Sequence, residues 1–132
     1  MTTETESGTA VLADRFTAAI AAADMTTMRE LYTPDAVIWH CTDGIELSVD
    51  ELDGLLTAIG SVSTCAIEVT SRQPTAQGFV QTQVNSYTLA DGGAVVLRCA
   101  LLVRTRSGRI ERVDEYLDGA ALAPLLAALP TT

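Results

Sequence analysis

Hydrophobic residues recur about every three or four positions over the first third of the chain, which is the spacing of amphipathic helices. The first of these segments can begin at a cap formed by Ser7 or Thr9. Its apolar stripe is Leu12, Phe16, Ala19, Ile20 and Ala23. Asp24 can cap a second, shorter helix, which should end before Pro34 because the residue before a proline avoids helical geometry. That helix carries Met25, Met28, Leu31 and Tyr32.

A short strand over residues 36–41 and a third helix follow. Ser48 and Glu51 have the spacing of a capping box, in which each side chain satisfies a free backbone amide of the other residue. Gly60 is a natural helix end. The buried stripe of this helix is Leu52, Leu55, Leu56 and Ile59.

From residue 64 onward the hydrophobic period changes to two, which predicts strands joined by short turns. The four strands are expected over residues 64–72, 79–89, 94–105 and 109–117. A last helix, with Pro124 as its first residue or as a break, carries Leu122, Leu125, Leu126 and Leu129. Helices followed by an antiparallel meander predict an α+β fold in which one sheet face packs on the helices.

Composition limits which kinds of partner the protein can bind and where in the cell it can be expected. Eight Lys and Arg against 17 Asp and Glu give a net charge of −9, which repels nucleic acid and anionic lipid. No apolar run has the length of a membrane span and the N-terminus lacks the pattern of a signal peptide, so we expect a cytoplasmic protein. Three cysteines without CxxC spacing indicate neither disulfides nor zinc. Residues 1–8 are expected to be a flexible N-terminus and residues 9–130 a single domain.

Two stretches of the chain, RFTAAIAAADMTTMRELYTPDAVIWH and GRIERVDEYLDGAALAPL, resemble SnoaL-like proteins of the nuclear-transport-factor-two-like superfamily. Ketosteroid isomerase, limonene epoxide hydrolase and SnoaL-like polyketide cyclases belong to that superfamily. The resemblance implies a cone-shaped, curved antiparallel sheet wrapped around the N-terminal helices, a cystatin-like α+β barrel. It also implies a deep apolar pocket for a small organic molecule and a homodimer formed through the outer sheet face.

His40, the chain's one histidine, is the first candidate catalytic residue. The resemblance places it where ketosteroid isomerases carry their catalytic base, and imidazole can act as a base near neutral pH. The alternative is a histidine at the edge of the core, bonded to backbone or to Asp43. A metal site of His40, Asp43 and Glu46 is a weak pattern, so neither a metal nor another cofactor is expected.

Glu115 is the second candidate, because alternation on the last strand places it between the core positions Val113 and Leu117. Burial there would raise its pKa toward neutrality, as in a general acid or base. Alternatively, Glu115 reaches solvent or pairs with an arginine such as Arg98.

Five further residues are candidates for contact with a substrate. Gln83 and Asn85 share a face of their strand with Phe79, Gln81 and Tyr87, and the resemblance directs that face into the cone. The alternative is that this face forms a dimer interface. The remaining candidates, as walls of the pocket, are Phe16, Tyr32 and Trp39.

The chain also departs from its relatives at their catalytic positions. Phe16 stands where the isomerase has its tyrosine oxyanion donor, and Cys99-Ala100-Leu101 occupies the region of its protonated aspartate. The catalytic set of limonene epoxide hydrolase matches Gln83, Asn85 and Glu115, so amides replace its charged pair.

Two functions therefore stay open. One is cofactor-free acid–base catalysis by His40 and Glu115, such as cyclisation, isomerisation, dehydration or epoxide opening. The other is a non-catalytic ligand-binding or dimerisation module.

Overall fold

The computed structural model describes residues 4–130, which form four helices and six strands. The helices are α1 (Glu4–Ala22), α2 (Met25–Leu31), α3 (Val49–Val62) and α4 (Gly119–Ala127). The strands are β1 (Tyr32–His40), β2 (Glu46–Leu47), β3 (Ser63–Thr75), β4 (Gly78–Leu89), β5 (Ala94–Arg106) and β6 (Arg109–Tyr116).

Helix α1 begins earlier than its apolar stripe indicates. Because the helix starts at Glu4, Ser7 and Thr9 are interior positions, and the prediction that one of them caps it is wrong. At its other end, Ala23 adopts a positive φ of 51° and the chain turns directly into α2. Asp24 caps α2 as predicted, accepting a hydrogen bond from the Thr27 backbone N–H at 3.1 Å.

Tyr32 does not belong to the second helix, so the prediction that it is helical is wrong. It has the extended angles φ −93° and ψ 150° and opens β1, in which Pro34 is an interior residue. Pro34 disfavours helical geometry at Thr33, and the change from helix to strand comes before that residue, between Leu31 and Tyr32. The Tyr32 ring is buried and packs edge-on against Phe16, with the ring centroids 6.3 Å apart.

The capping box of α3 is present, with Ser48 and Glu51 each bonding the other's backbone. Gly60, predicted to end this helix, lies inside it. A Cβ atom on Gly60 would be 3.2 Å from the Cβ atom of Ala23. The glycine therefore permits close approach between α3 and the end of α1. Strand β2, which no sequence pattern predicted, contributes only a two-residue antiparallel pair with β1.

The six strands form one curled, unclosed sheet in the order β2-β1-β6-β5-β4-β3. Strands β3 to β6 form the predicted antiparallel meander. The first long strand, β1, pairs with the last, β6, in parallel. The α+β fold class with a curled sheet around the helices is confirmed, with one parallel pair in an otherwise antiparallel sheet.

The core lies between the inner sheet face and the helices, where α1 packs on β3, α3 on β1 and α4 on β5. Strict alternation along β5 sends five residues inward, and all are buried: Val95, Leu97, Cys99, Leu101 and Val103. Helix α4 is capped by Asp118, and Pro124 lies within it, neither first nor breaking it. None of the helices in residues 4–130 has the length and apolar character needed to cross a membrane.

Candidate functional site

A cavity of about 330 Å³ lies between the inner sheet face and helices α1, α3 and α4. Its walls are mainly hydrocarbon, including Phe16, Ile38, Leu52, Leu97, Val113 and Leu125. The polar side chains His40, Asn85, Tyr87 and Glu115 also line it. A mainly apolar concavity of this size with a few convergent polar groups is typical of sites for small organic molecules.

The parallel register of β1 and β6 brings His40 and Glu115 together. His40 is the register partner of Glu115, just as Ile38 is of Val113 two residues earlier. Because register partners lie on the same face of a sheet, both side chains enter the cavity. His40 Nε2 lies 3.4 Å from Glu115 Oε1, and the two side chains are 19% and 21% exposed. Within residues 4–130, His40 is the side chain placed to pair with Glu115, and the two form an ion pair only when the imidazole is protonated, while Arg98 lies exposed on the outer face.

Cys41 holds the ends of these two strands in place. Its backbone N–H donates to the Glu115 carbonyl at 3.0 Å. Its thiol donates to the Leu117 carbonyl at 3.4 Å and accepts from the Leu117 N–H at 3.3 Å. These bonds flank both members of the His40–Glu115 pair, so they fix its backbone at the point where β6 ends.

Burial shifts the pKa values of the two groups in opposite directions, so that the pKa of Glu115 comes to lie above that of His40. It raises the pKa of Glu115 from 4.5 to about 7, since a carboxylate loses hydration in an apolar cavity. Burial also lowers the pKa of His40 below 6.5, and the nearby Asp43 carboxylate offsets part of that shift. Glu115 can therefore exchange a proton near neutral pH, where His40 is neutral.

The polar residues of β4 form a chain of side-chain hydrogen bonds that ends at the cavity. Gln81 Nε2 donates to Gln83 Oε1 at 2.7 Å, and Gln83 Nε2 donates to Asn85 Oδ1 at 2.8 Å. Asn85 Nδ2 then approaches the Tyr87 hydroxyl at 3.4 Å. Asn85 and Tyr87 line the cavity, whereas Gln81 and Gln83 lie behind it. The β4 face predicted to look into the cone is thus buried in the subunit and is not available as a dimer interface.

Two of the residues predicted to contact substrate lie away from the cavity. Gln83 is 4% exposed, and its amide bonds to its neighbours on β4. Trp39 points to the opposite side of β1 from His40, where its ring meets that of Tyr116 at a centroid distance of 5.3 Å. Alternation along the strand explains this, since adjacent residues face opposite sides. Phe16, Tyr32 and Asn85 do line the cavity.

The acidic residues near His40 have other partners. Glu46 pairs with Arg112 at 2.7 Å, and Asp43 accepts a bond from the Ile45 N–H at 2.9 Å. Within the part of the chain that the structure describes, no three His, Cys, Asp or Glu side chains are grouped so as to hold a metal ion.

Helix α4 supplies a part of the site that no sequence pattern assigned to it. Leu122, Leu125 and Leu126 cover the cavity, and Leu125 is fully buried. Their spacing predicted a helix with an apolar stripe. Nothing in the sequence indicated that this stripe would face His40 and Glu115 across the cavity.

No known family profile matches the chain, and no curated protein is significantly similar to it in sequence. Several solved structures superpose over nearly its whole length. PrhC from Penicillium brasilianum does so with a TM-score of 0.84 at 13% identity, covering 95% of this chain and 89% of that one. A limonene-epoxide-hydrolase-like epoxide hydrolase from M. tuberculosis gives 0.76 at 13% identity, covering 92% of each chain.

IdmH from Streptomyces antibioticus, a candidate polyketide cyclase, gives a TM-score of 0.76 at 18% identity, covering 90% of this chain and 98% of that one. Identities this low establish a shared fold and not a shared activity. The chain therefore has the fold of the ketosteroid-isomerase-like, SnoaL-like and nuclear-transport-factor-two-like proteins, as the two sequence stretches predicted.

Proposed function

We propose that the protein binds a small, mainly apolar organic molecule in the cavity and acts on it by cofactor-free acid–base catalysis. The observation that carries this proposal is the 3.4 Å approach of His40 Nε2 to Glu115 Oε1 at the wall of an apolar cavity. Groups whose pKa values burial shifts strongly, as it does that of Glu115, are common at catalytic sites. The fold fits the proposal, because its relatives include an epoxide hydrolase and a candidate polyketide cyclase.

The pair can hold one proton between its two members near pH 7, since the pKa of Glu115 is about 7 and that of His40 is lowered. Neutral His40 would take a proton from a substrate carbon or from a water molecule. Protonated Glu115 would give its proton to a substrate oxygen, for example the carbonyl of a ketone or the ring oxygen of an epoxide. This leaves an imidazolium beside a carboxylate, and proton transfer from His40 to Glu115 restores the starting state.

Isotope incorporation tests this chemistry across several compound classes at once. Small apolar ketones, enones and epoxides are incubated with the protein in D₂O or in ¹⁸O-labelled water and followed by mass spectrometry. Deuterium at a carbon next to a carbonyl reports proton abstraction, and ¹⁸O reports the addition of water. We expect incorporation with at least one compound class.

For a compound that reacts, we expect His40→Gln and Glu115→Gln each to lower kcat/KM at least about 100-fold, the usual contribution of a positioned acid or base. Glu111→Gln is the matched control, because Glu111 lies on the same strand but pairs with Arg106 at 3.2 Å outside the cavity. It should leave the rate unchanged. Full activity in the His40→Gln variant would exclude His40 as the base.

A non-catalytic ligand-binding module is the second candidate. It is favoured by the Gln81 and Gln83 amides, which bond along β4 behind the cavity instead of facing it. Under this alternative, apolar compounds bind but no isotope is incorporated, and His40→Gln changes affinity without changing any rate.

A further inference from the structure

The hydrogen bonds along β4 continue behind the cavity to a charged residue. Arg72 Nε donates to Gln81 Oε1 at 2.7 Å, and Arg72 Nη1 pairs with Asp14 Oδ1 at 2.6 Å. The Arg72 side chain is 21% exposed, whereas Gln81 is fully buried. A continuous series of donors therefore runs from the surface to the cavity, through Arg72, Gln81, Gln83, Asn85 and Tyr87.

Every amide in this series points the same way because of Arg72. A side-chain amide can rotate to exchange its oxygen and nitrogen, but a guanidinium has donors only. Gln81 must therefore turn its oxygen to Arg72 and its nitrogen to Gln83. The same constraint passes to Gln83, because a reversed amide would set two donors or two acceptors against each other. Such a mismatch is costly in a buried site.

A second contact of Gln81 is consistent with this direction of its amide but does not require it. Gln81 Nε2 also donates to Thr17 Oγ1 at 3.0 Å, and the Thr17 hydroxyl donates to the Ala13 carbonyl at 2.9 Å. A hydroxyl can both donate and accept, so Thr17 could serve either orientation of Gln81. Among the described partners of Gln81, Arg72 is the one that can only donate and never accept a hydrogen bond.

At the cavity end, the series leaves a donor for a ligand. Asn85 Oδ1 is occupied by Gln83, and Asn85 Nδ2 carries two protons, of which Tyr87 can take one over a long 3.4 Å contact. The Tyr87 hydroxyl also bonds to the Cys65 thiol, so the donor left for a ligand is that of Asn85. Asn85 and Tyr87 line the cavity together with Glu115.

We propose that Arg72 is a positioning residue that fixes the direction of these amides, so that the cavity offers a hydrogen-bond donor at Asn85 and selects ligands with an acceptor oxygen there. The ligand class is then an apolar molecule with a carbonyl, epoxide or similar oxygen at one end. This inference rests on the proposed function only in so far as the cavity binds an apolar molecule. It does not require catalysis.

Three rigid tricyclic probes of similar shape separate the possibilities: 9-fluorenone has an acceptor, carbazole has an N–H donor, and fluorene has neither. Their dissociation constants are measured by titration calorimetry. In the wild-type protein we expect fluorenone to bind about fivefold more tightly than fluorene, the factor that one net hydrogen bond supplies. Carbazole should bind more weakly than fluorene, because its donor would face another donor.

In Arg72→Met the amides are free to reverse, so the ratio of fluorenone to carbazole affinity should fall toward one while the affinity for fluorene is retained. Arg72→Lys, which keeps a donor, should restore the preference. Thr17→Val is the matched control, since it removes a hydrogen bond to Gln81 but leaves Arg72 in place, and it should keep the wild-type preference. An equal preference in the wild-type and Arg72→Met proteins would overturn the role of Arg72.

A measurement without ligand keeps the inference testable if none of the probes binds. We expect nuclear Overhauser contacts between the Asn85 amide protons and the Tyr87 ring in the wild-type protein, and their loss or weakening in Arg72→Met. Contacts of the Asn85 amide protons with Gln83 alone would show the reversed direction and contradict the inference. Probe binding without isotope incorporation would refute the proposed catalysis and leave this inference standing.

Discussion

Glu115 lies among hydrocarbon side chains, where its ionised form is poorly hydrated. Its carboxyl group has the imidazole of His40 beside it at 3.4 Å, and the hydrocarbon of Ile38 and Val113 lines the same cavity. At the scale of single residues, this burial ties two properties together. The carboxyl group that could serve as an acid near neutral pH also destabilises the folded protein once it ionises.

The stability of the protein should therefore depend on Glu115 in a defined pH window. The folded-state pKa, about 7, exceeds the ordinary value of 4.5, so between these values the folded state binds more protons than the unfolded state. The contribution of Glu115 is then complete below about pH 4.5 and is lost as the pH rises through about 7. The loss is about 3 kcal/mol at about 1.4 kcal/mol per pKa unit.

Urea denaturation of the wild-type and Glu115→Gln proteins across this range measures the effect. We expect the free energy of unfolding of the wild type, relative to that of the variant, to decrease from pH 4.5 to 7. His40 acts in the opposite sense, because its lowered pKa costs stability as the pH falls below 6.5. The difference between the two proteins, rather than either curve alone, isolates Glu115. A difference that is constant with pH would mean that the carboxyl group is well hydrated.

At this scale, the sequence predicted the direction of some side chains but not their contacts. Alternation alone places Ile38 and His40 on one side of β1 and Trp39 on the other, as observed. The distance from His40 to Glu115 depends on the register between strands at opposite ends of the chain, which local periodicity does not contain. The same holds for Gln83, whose position on the strand predicted contact with a substrate. Its amide instead bonds to its neighbours Gln81 and Asn85 on β4, and these bonds keep it from the cavity.

Element boundaries depend on contacts as well as on residue preferences. The capping residues Asp24 and Ser48 marked their helices correctly, since each bonds to a backbone N–H within its own first turn. Gly60 does not end α3 but lies inside it, where the lack of a side chain allows the close approach of Ala23. Strand β2 has only two residues and exists through its pairing with β1, so no periodic pattern could reveal it.

Two glycines in different elements should respond in opposite ways to the same substitution. A Cβ atom on Gly78, at the start of β4, would lie 2.0 Å from the Val103 carbonyl oxygen of β5. Backbone atoms must shift to relieve this clash, so we expect Gly78→Ala to destabilise the protein by about 2 kcal/mol or more. Gly54, in the middle of α3, has nothing within 4 Å of the added carbon.

Gly54→Ala should stabilise the protein by about 0.5–1 kcal/mol, because alanine loses less conformational freedom in a helix than glycine does. Chemical denaturation of both variants at one pH provides the comparison. Destabilisation by Gly54→Ala would indicate that α3 packs differently around this position, and a neutral Gly78→Ala would indicate a wider spacing between β4 and β5.

For the whole molecule, the outer sheet face raises the question of assembly. It exposes the large apolar residues Val80, Val96, Leu102 and Tyr116. Val80 and Leu102 are register partners on adjacent strands, so their side chains are neighbours on this face. Exposed apolar clusters of this kind commonly mark protein interfaces. The homodimer predicted from the sequence resemblance would use this surface.

Light scattering after size-exclusion chromatography tests the dimer. We expect the wild-type protein to elute at twice the chain mass and Leu102→Lys at the mass of one chain, because a charge would be buried without a partner at the interface. Val11→Lys is the matched control, since Val11 is 59% exposed but lies on helix α1 and is not part of this sheet face. A wild-type protein that is monomeric at high concentration would rule out the predicted dimer.

The parallel pairing of β1 with β6 also has a consequence for how the protein is made. His40 is synthesised well before Glu115, and the bonds that join their strands, such as that between Cys41 and Leu117, span 76 positions. During translation β1 has only β2 beside it, and its other edge stays open until β6 emerges. Contacts between distant parts of a chain form slowly, because loop closure is entropically costly. The pair therefore cannot assemble in a nascent chain until β6 has been synthesised.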